Sequence, residues 1–316
     1  MIETRKKSRG RLTLKIIGTT IALALVVYLL WRQGWGEISA VVSQISFGIF
    51  ALAFVMTLMS RTVVGWRWHV LLRSAGVNIS PFKSISLTYA GLFASNFLPT
   101  TVGGDVVRLA GVLRLNLNRP VCVASLVVDR LVGMAGMALA LPFIIPGLPE
   151  GLFLTTTAPL MAGAPVLGKL DAPAGSKAKK ILQKGVRLLK SLLDALSIWI
   201  KHPKSLFTSL LMSWTHMLLL FGTLWILLRA MGEPTSFWLI AGMWALTYFV
   251  TLLPISINGL GVQELSMTFL FTQVGGISEP TALTLAFLIR ILQMFASLPG
   301  AFYLPDVVVG EDRVPA

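Results

Sequence analysis

The sequence predicts an all-α polytopic membrane protein: two inverted repeats, about six full transmembrane helices, and two broken re-entrant helical hairpins. Three features of the chain point there. First, hydrophobic residues make up 55% of the 316 residues and charged ones 13%, with mean hydropathy +0.79, a balance foreign to soluble domains of this length. Second, the 27 basic residues outnumber the 13 acidic ones, giving a formal charge of +14, and they collect in a few segments. That clustering fits cytoplasmic loops rather than a nucleic-acid surface. Third, two apolar stretches carry helix breakers at matching places, Asn96 to Arg108 and Leu253 to Glu264. Aligning Pro99 with Pro254 gives an offset of 155, close to half the chain, and places Gly104 on Gly259. Proline removes an amide donor and glycine weakens a helix, so the backbone is expected to break at both places. Broken backbone at membrane depth survives only where protein or a water-filled cavity surrounds it, and a matched pair of interrupted segments points to a transporter's central site.

Taken in order, residues 1–15 hold six basic side chains against Glu3, which places the N-terminus in the cytoplasm. The first span covers about 12–31 and reads as a retained helix, since no small-residue cleavage site follows it early. The second runs from about Phe47 to Leu72, and Trp66-Arg67-Trp68-His69 reads as its cytoplasmic border. Residues 82–98 then enter the membrane. A full crossing would put Arg108, Arg114 and Arg119 outside, so a turn back at Pro99–Gly104 is preferred. A long span follows at 120–145, broken late by Pro142 and Pro146, and a Gly-, Pro- and Thr-rich one at 150–168. Nine basic residues between Lys169 and Lys204 demand the cytoplasm. Within that loop, 177–200 has the pattern of an amphipathic helix lying on the anionic inner leaflet. The second half supplies spans at 205–229 and 281–305 and a broken hairpin at about 236–272 that enters from the opposite face. The whole of 1–316 reads as one membrane domain, with repeat one at about 12–146, repeat two at about 150–305 and the C-terminus in the cytoplasm.

Charges inside the membrane are the candidate functional groups, because each costs about 2.5–3.5 kcal/mol at the bilayer centre on insertion scales. Asp105 and Arg108 stand one helical turn apart and can pair. Asp129 and Arg130 are adjacent, do not share a helix face, and each needs a partner elsewhere. Glu264 follows the second break, Arg290 lies 160 positions after Arg130, and Arg61 is a further candidate. The expected site is a polar, basic cavity holding a lipid phosphate. Asn96, Asp105, Arg108, Asp129, Arg130, Asn258, Gln263, Glu264 and Arg290 would bind it, and Pro99, Gly103, Gly104, Pro254, Gly259 and Gly261 would form the backbone breaks. The competing reading is a set of buried ion pairs that fix helix register. His69, His202 and His216 lie in unrelated segments and form no metal set; no phosphate-binding P-loop occurs, and no cofactor is expected. Cys122 reads as a small core residue, and Gly133 with Gly136 as a close helix contact.

The motifs N-F-L-P-x-x-x-G-G-D-x-x-R at 96–108, A-S-x-x-x-D-R-x-x-G at 124–133 and L-P-x-x-x-x-G-x-G-x-x-E at 253–264, with Arg290, resemble the lysylphosphatidylglycerol synthase transmembrane-region family. That family includes the flippase half of the multiple peptide resistance factor and many stand-alone proteins. Asp129 stands where the family often has Glu. Few residues follow the last span, so the resemblance implies the translocating half without the synthase domain. The functional expectation is a non-enzymatic, flippase-like translocator in the inner (cytoplasmic) membrane, moving a phospholipid or a polyprenyl-phosphate-linked lipid. Its arginines would bind the anionic headgroup, and the acids would balance them or receive a cationic group. Alternatives are a lipid-linked glycosyl- or acyl-transfer enzyme with Asp105 or Glu264 as base, and an accessory scaffold subunit. A second copy of the chain or a separate lipid-synthesising enzyme stands open as partner; nucleic acid does not.

Overall fold

The computed structural model describes residues 35–98, 103–115, 119–148, 199, 201–253 and 256–308. The spans expected at 12–31 and 150–168, the amphipathic helix at 177–200 apart from Trp199, and the prolines Pro99 and Pro254 lie outside these residues. All regular structure among the described residues is helical: α1 (Trp35–Ser43), α2 (Phe47–Ser74), α3 (Pro81–Ser95), α4 (Gly103–Leu113), α5 (Arg119–Ala138), a 3-10 segment (Leu141–Gly147), α6 (Pro203–Ala230), α7 (Phe237–Thr251), a 3-10 turn (Ile257–Gly259), α8 (Val262–Gln273), α9 (Glu279–Ser297) and α10 (Pro299–Val308). Four segments are long and apolar enough to cross a membrane: Phe47–Ser74, Arg119–Gly147, Pro203–Ala230 and Glu279–Leu304. Bulky apolar side chains such as Phe47, Phe207 and Phe302 stand exposed on their outer faces, as lipid contact requires.

Local sequence fixes where these helices start and stop. The Ser46 hydroxyl accepts from the Ile49 amide at 3.3 Å, and Ser80 accepts from Lys83 at 3.2 Å ahead of Pro81 in the first turn. Helix α2 ends in a left-handed Gly76 (φ 78°) and α6 in Gly232 (φ 82°). In both, the next amide returns to a carbonyl of the last turn, Val77 to Leu72 at 3.0 Å and Glu233 to Leu228 at 2.9 Å. The expected last span differs in one respect. It is not a single rod, because Pro299 cannot continue the hydrogen-bond ladder, and the chain divides there into α9 and α10. Span 120–145 behaves as expected, passing from α-helix to 3-10 geometry around Pro142 and Pro146.

Helix lengths recur along the chain. Helices α2 and α6 are both 28 residues and begin 156 positions apart, at 47 and 203. Helices α3 and α7 are both 15 residues and also begin 156 apart, at 81 and 237. α5 and α9 begin 160 apart, each with proline as its second residue. Helices α2 and α6 pack along one another at the centre, where the Ser60 hydroxyl meets His216 Nδ1 at 2.5 Å, again 156 positions apart.

Each interrupted stretch folds back on itself. Gly91 of α3 lies against Gly104 of α4, where an added Cβ would come within 2.6 Å of the Gly104 carbonyl oxygen, and Leu87 covers Gly111. That order of contacts makes α3 and α4 antiparallel. Helices α7 and α8 do the same, with Thr251 beside Gly259 and Met243 beside Gly275. The segment after each long helix then packs on the hairpin of the other half. Helix α10 lies on α3, with Gly300 pressed against the Tyr89 carbonyl, and the 3-10 segment lies on α7, with Gly242 pressed against the backbone of Ile144.

Candidate functional site

The two hairpins place their acids in the same way. Helix α3 ends at Ser95 and α4 starts at Gly103; α7 ends at Thr251 and α8 starts at Val262. The approach to α8 uses left-handed backbone at Asn258 (φ 50°), Gly259 (φ 70°) and Gly261 (φ 76°), a sequence of torsions that favours glycine and asparagine. Asp105 is the third residue of α4 and Glu264 the third of α8, where a carboxylate complements the partial positive charge of a helix start. Glu264 Oε2 accepts the Gly261 amide at 2.8 Å, tying the second break to its own helix.

Each acid then receives the Nε–H of an arginine that is the twelfth residue of the next helix. Arg130 of α5 donates to Asp105 Oδ2 at 2.5 Å, and Arg290 of α9 donates to Glu264 Oε1 at 2.6 Å. Arg290 also reaches the carbonyls of Asn258 at 3.4 Å and Gly259 at 3.2 Å, so it holds the non-helical backbone as well as the acid.

The first half adds a second, deeper cluster. Asp129 is buried and accepts Arg67 Nε at 2.7 Å on one oxygen and both terminal nitrogens of Arg108 at 3.2 Å on the other. Arg108 also reaches Asp105 at 3.1 Å and stacks 4.2 Å above the Trp68 ring. Arg67 gives a further bond to Ser213 of α6 at 2.7 Å, and Gly133 leaves room for its guanidinium. Gly136, one turn on, lies against Met217 and Ser213 of α6. The separate partners required by the adjacent Asp129 and Arg130 are thus provided by different helices.

These groups surround one cavity of about 320 Å³ between the two hairpins and the central helix pair. Asn96, Asp105, Arg108 and Arg130 line it from the first half; Asn258, Gln263 and Arg290 line it from the second. Gly104 and Gly259 form part of the wall, whereas Gly103 and Gly261 do not reach it. Asp129 and Glu264 stand behind the wall, each bound to arginines that face the space. Asn96 donates to Ser297 at 2.9 Å, joining the first break to the end of α9.

Sequence reasoning missed Arg67, which its neighbours Trp66 and His69 made look like a border residue. The structure buries Arg67 and Trp68 inward instead. Ala53, Thr57, Ser60 and Arg67 form an inward stripe at helical spacing, the signal that would have found it. His216, Trp244 and Tyr248 also line the cavity and were not singled out as site residues. Among the described residues no group of three or more His, Cys, Asp and Glu side chains is gathered for a metal.

The model of the lysylphosphatidylglycerol synthase TM region matches residues 15–300, which include every cavity residue named above. The chain belongs to that family. Membership in the lysylphosphatidylglycerol synthase transmembrane-region family, with four apolar helices of spanning length, makes it a multi-pass membrane protein with a role tied to membrane lipid. Among curated proteins it is similar to a UPF0104 membrane protein of Pyrococcus horikoshii, at 27% identity over 99 residues. That alignment covers 31% of this chain and 30% of the relative, so the chain matches less than a third of the relative's length.

Proposed function

We propose that this family member is a lipid translocator, flippase-like and without enzymatic chemistry of its own, that carries a phospholipid or a polyprenyl-phosphate-linked lipid across the cytoplasmic membrane. One observation supports it above the others: the starts of both second hairpin helices and arginines from α4, α5 and α9 border a single sheltered cavity. Guanidiniums and helix N-termini are the groups that bind phosphate oxygens. An apolar groove of about 450 Å³, lined by Val55, Leu58, Met59, Val63 and Trp66 of α2 with Met212 of α6, flanks the same central seam. A polar chamber beside an apolar groove suits a ligand with a charged head and a hydrocarbon tail.

The recurrent helix lengths, the contact of Ser60 with His216 and the crossed packing of α10 and the 3-10 segment favour two inverted repeats around an axis through the α2–α6 pair. On this reading the two hairpins open alternately to the two leaflets, with both termini in the cytoplasm. Transfer chemistry is disfavoured by geometry, since Asp105 and Glu264 each accept an arginine Nε–H and neither presents a free base.

Reconstitution into liposomes holding a tail-labelled phospholipid tests the reading, with headgroup accessibility to a membrane-impermeant reductant as readout. Wild-type protein should move label between leaflets, and Arg130→Ala and Arg290→Ala should each abolish most of the rate while still folding. Equal rates in wild type, both variants and empty liposomes would remove the proposal.

A further inference from the structure

Four of the five arginines at this site have carboxylate partners and one does not. Arg67, Arg108, Arg130 and Arg290 pair with Asp105, Asp129 and Glu264. Arg61 of α2 lines the cavity and makes no hydrogen bond or ion pair with any described residue. Arg290 lines the same cavity from the second half, and the like charges of the two guanidiniums oppose each other across it. Arginine stays protonated in any protein environment, so neither can escape by losing its proton. Five guanidiniums against three carboxylates leave two positive charges uncompensated among the described residues.

The unpartnered N–H donors lean the same way. Trp244 Nε1, Gln263 Nε2 and Arg108 Nε belong to cavity-lining side chains, are buried, and have no acceptor. All three are N–H groups. A buried donor without an acceptor is costly, and together they favour a ligand rich in acceptor oxygens over one that brings donors of its own.

We infer that the cavity selects a headgroup of net negative charge, a phosphate bridging Arg61 and Arg290, and rejects a headgroup whose phosphate is outweighed by amines. This rests on the translocator reading only for the claim that the ligand crosses the membrane. A phosphate between the two guanidiniums replaces their repulsion with two charge-assisted contacts. An aminoacylated headgroup places ammonium groups among the same arginines, where no described carboxylate is free to receive them. The name of the family would point to such a lysyl-bearing lipid, and the charge balance of this chain points away from it.

Binding and movement are measured separately on the full chain. Short-chain phosphatidylglycerol, phosphatidylethanolamine and lysyl-phosphatidylglycerol carry net charges of about −1, 0 and +1 at neutral pH, and glycerol phosphate supplies the same phosphate without a lipid tail. In detergent, phosphatidylglycerol should bind at least about tenfold tighter than the lysyl form, and Arg61→Gln should remove that margin while Arg61→Lys keeps part of it. Arg61→Gln should also melt no lower than wild type, because it removes a half-buried charge without a carboxylate partner and orphans no acid; a merely structural Arg61 would show the opposite. Equal or tighter binding of the lysyl form, or unchanged selectivity in Arg61→Gln, overturns the inference. Glycerol phosphate competing as well as the lipid would assign the site to a soluble phosphate and overturn it too. If the binding order holds and no lipid crosses in liposomes, the charge selection stands and the translocator reading falls.

Discussion

The two hairpins share one design and differ in what stands behind it. In both, an acid at the third position of the second hairpin helix accepts the Nε–H of an arginine at the twelfth position of the next helix. Behind the first hairpin lies the buried Arg67–Asp129–Arg108 cluster, which reaches across α2, α4, α5 and α6. Behind the second there is backbone: Glu264 holds the Gly261 amide, and Arg290 holds two carbonyls of the break. The first break is therefore anchored by charges from several helices, the second by charges folded onto its own turn. The site thus has one wall tied into four helices and one tied to its own turn and to α9.

The sharpest way to break that contrast is Asp129→Asn. It leaves buried Arg67 with no carboxylate and Arg108 with Asp105 alone, and loss of one member of a buried ion cluster costs about 3–5 kcal/mol. A large drop in melting temperature, read by thermal unfolding in detergent, is expected. Close packing comes next. Gly91→Ala would force a methyl onto the Gly104 carbonyl, and Gly242→Ala one onto the Ile144 backbone; overpacking of this kind costs about 1–3 kcal/mol. Gly91→Ala should in addition pry α3 from α4 and slow any movement of lipid, measurable in the liposome assay. Glu264→Gln is expected to be milder than Asp129→Asn, about 1–2 kcal/mol, because Arg290 keeps its two carbonyl acceptors. A melting temperature as low as that of Asp129→Asn would erase the distinction drawn between the halves. The smallest effect belongs to the central contact. A double-mutant cycle with Ser60→Ala and His216→Ala should give a coupling of about 0.5–1 kcal/mol, and additivity within error would deny that the two side chains interact.

Much of this arrangement is legible in the chain and some of it is not. The interruptions follow from covalent chemistry: Gly259, Gly261 and Asn258 occupy torsions that other residues resist, and the spans flanking the breaks follow from plain hydropathy. Charged residues deep in apolar stretches must meet a partner, so Asp129, Arg130, Glu264 and Arg290 announce themselves. Who meets whom is a tertiary matter. Asp105 and Arg108 look like a local pair, yet the closest contact of Asp105 is Arg130, and Arg108 turns toward Asp129. The same limit explains why Asp129 and Glu264 stand behind the cavity wall rather than on it: Asp129 is held between Arg67 and Arg108, and Glu264 between Arg290 and the Gly261 amide. Arg67 was hidden by its neighbours, because aromatic and histidine residues beside a cation are also what a membrane border looks like. The span expected at 281–305 matches the apolar segment Glu279–Leu304, and Pro299 divides it into two helices without ending the span.

The exchange of end segments also bears on biogenesis. Helix α3 finds its covering surface in α10, about two hundred residues later in the chain. At a synthesis rate of about 5–20 residues per second, the first hairpin waits roughly 10–40 s before that surface leaves the ribosome. During that interval Tyr89 and Phe93 have no lid, and an insertase or a chaperone in the bilayer has reason to shield them.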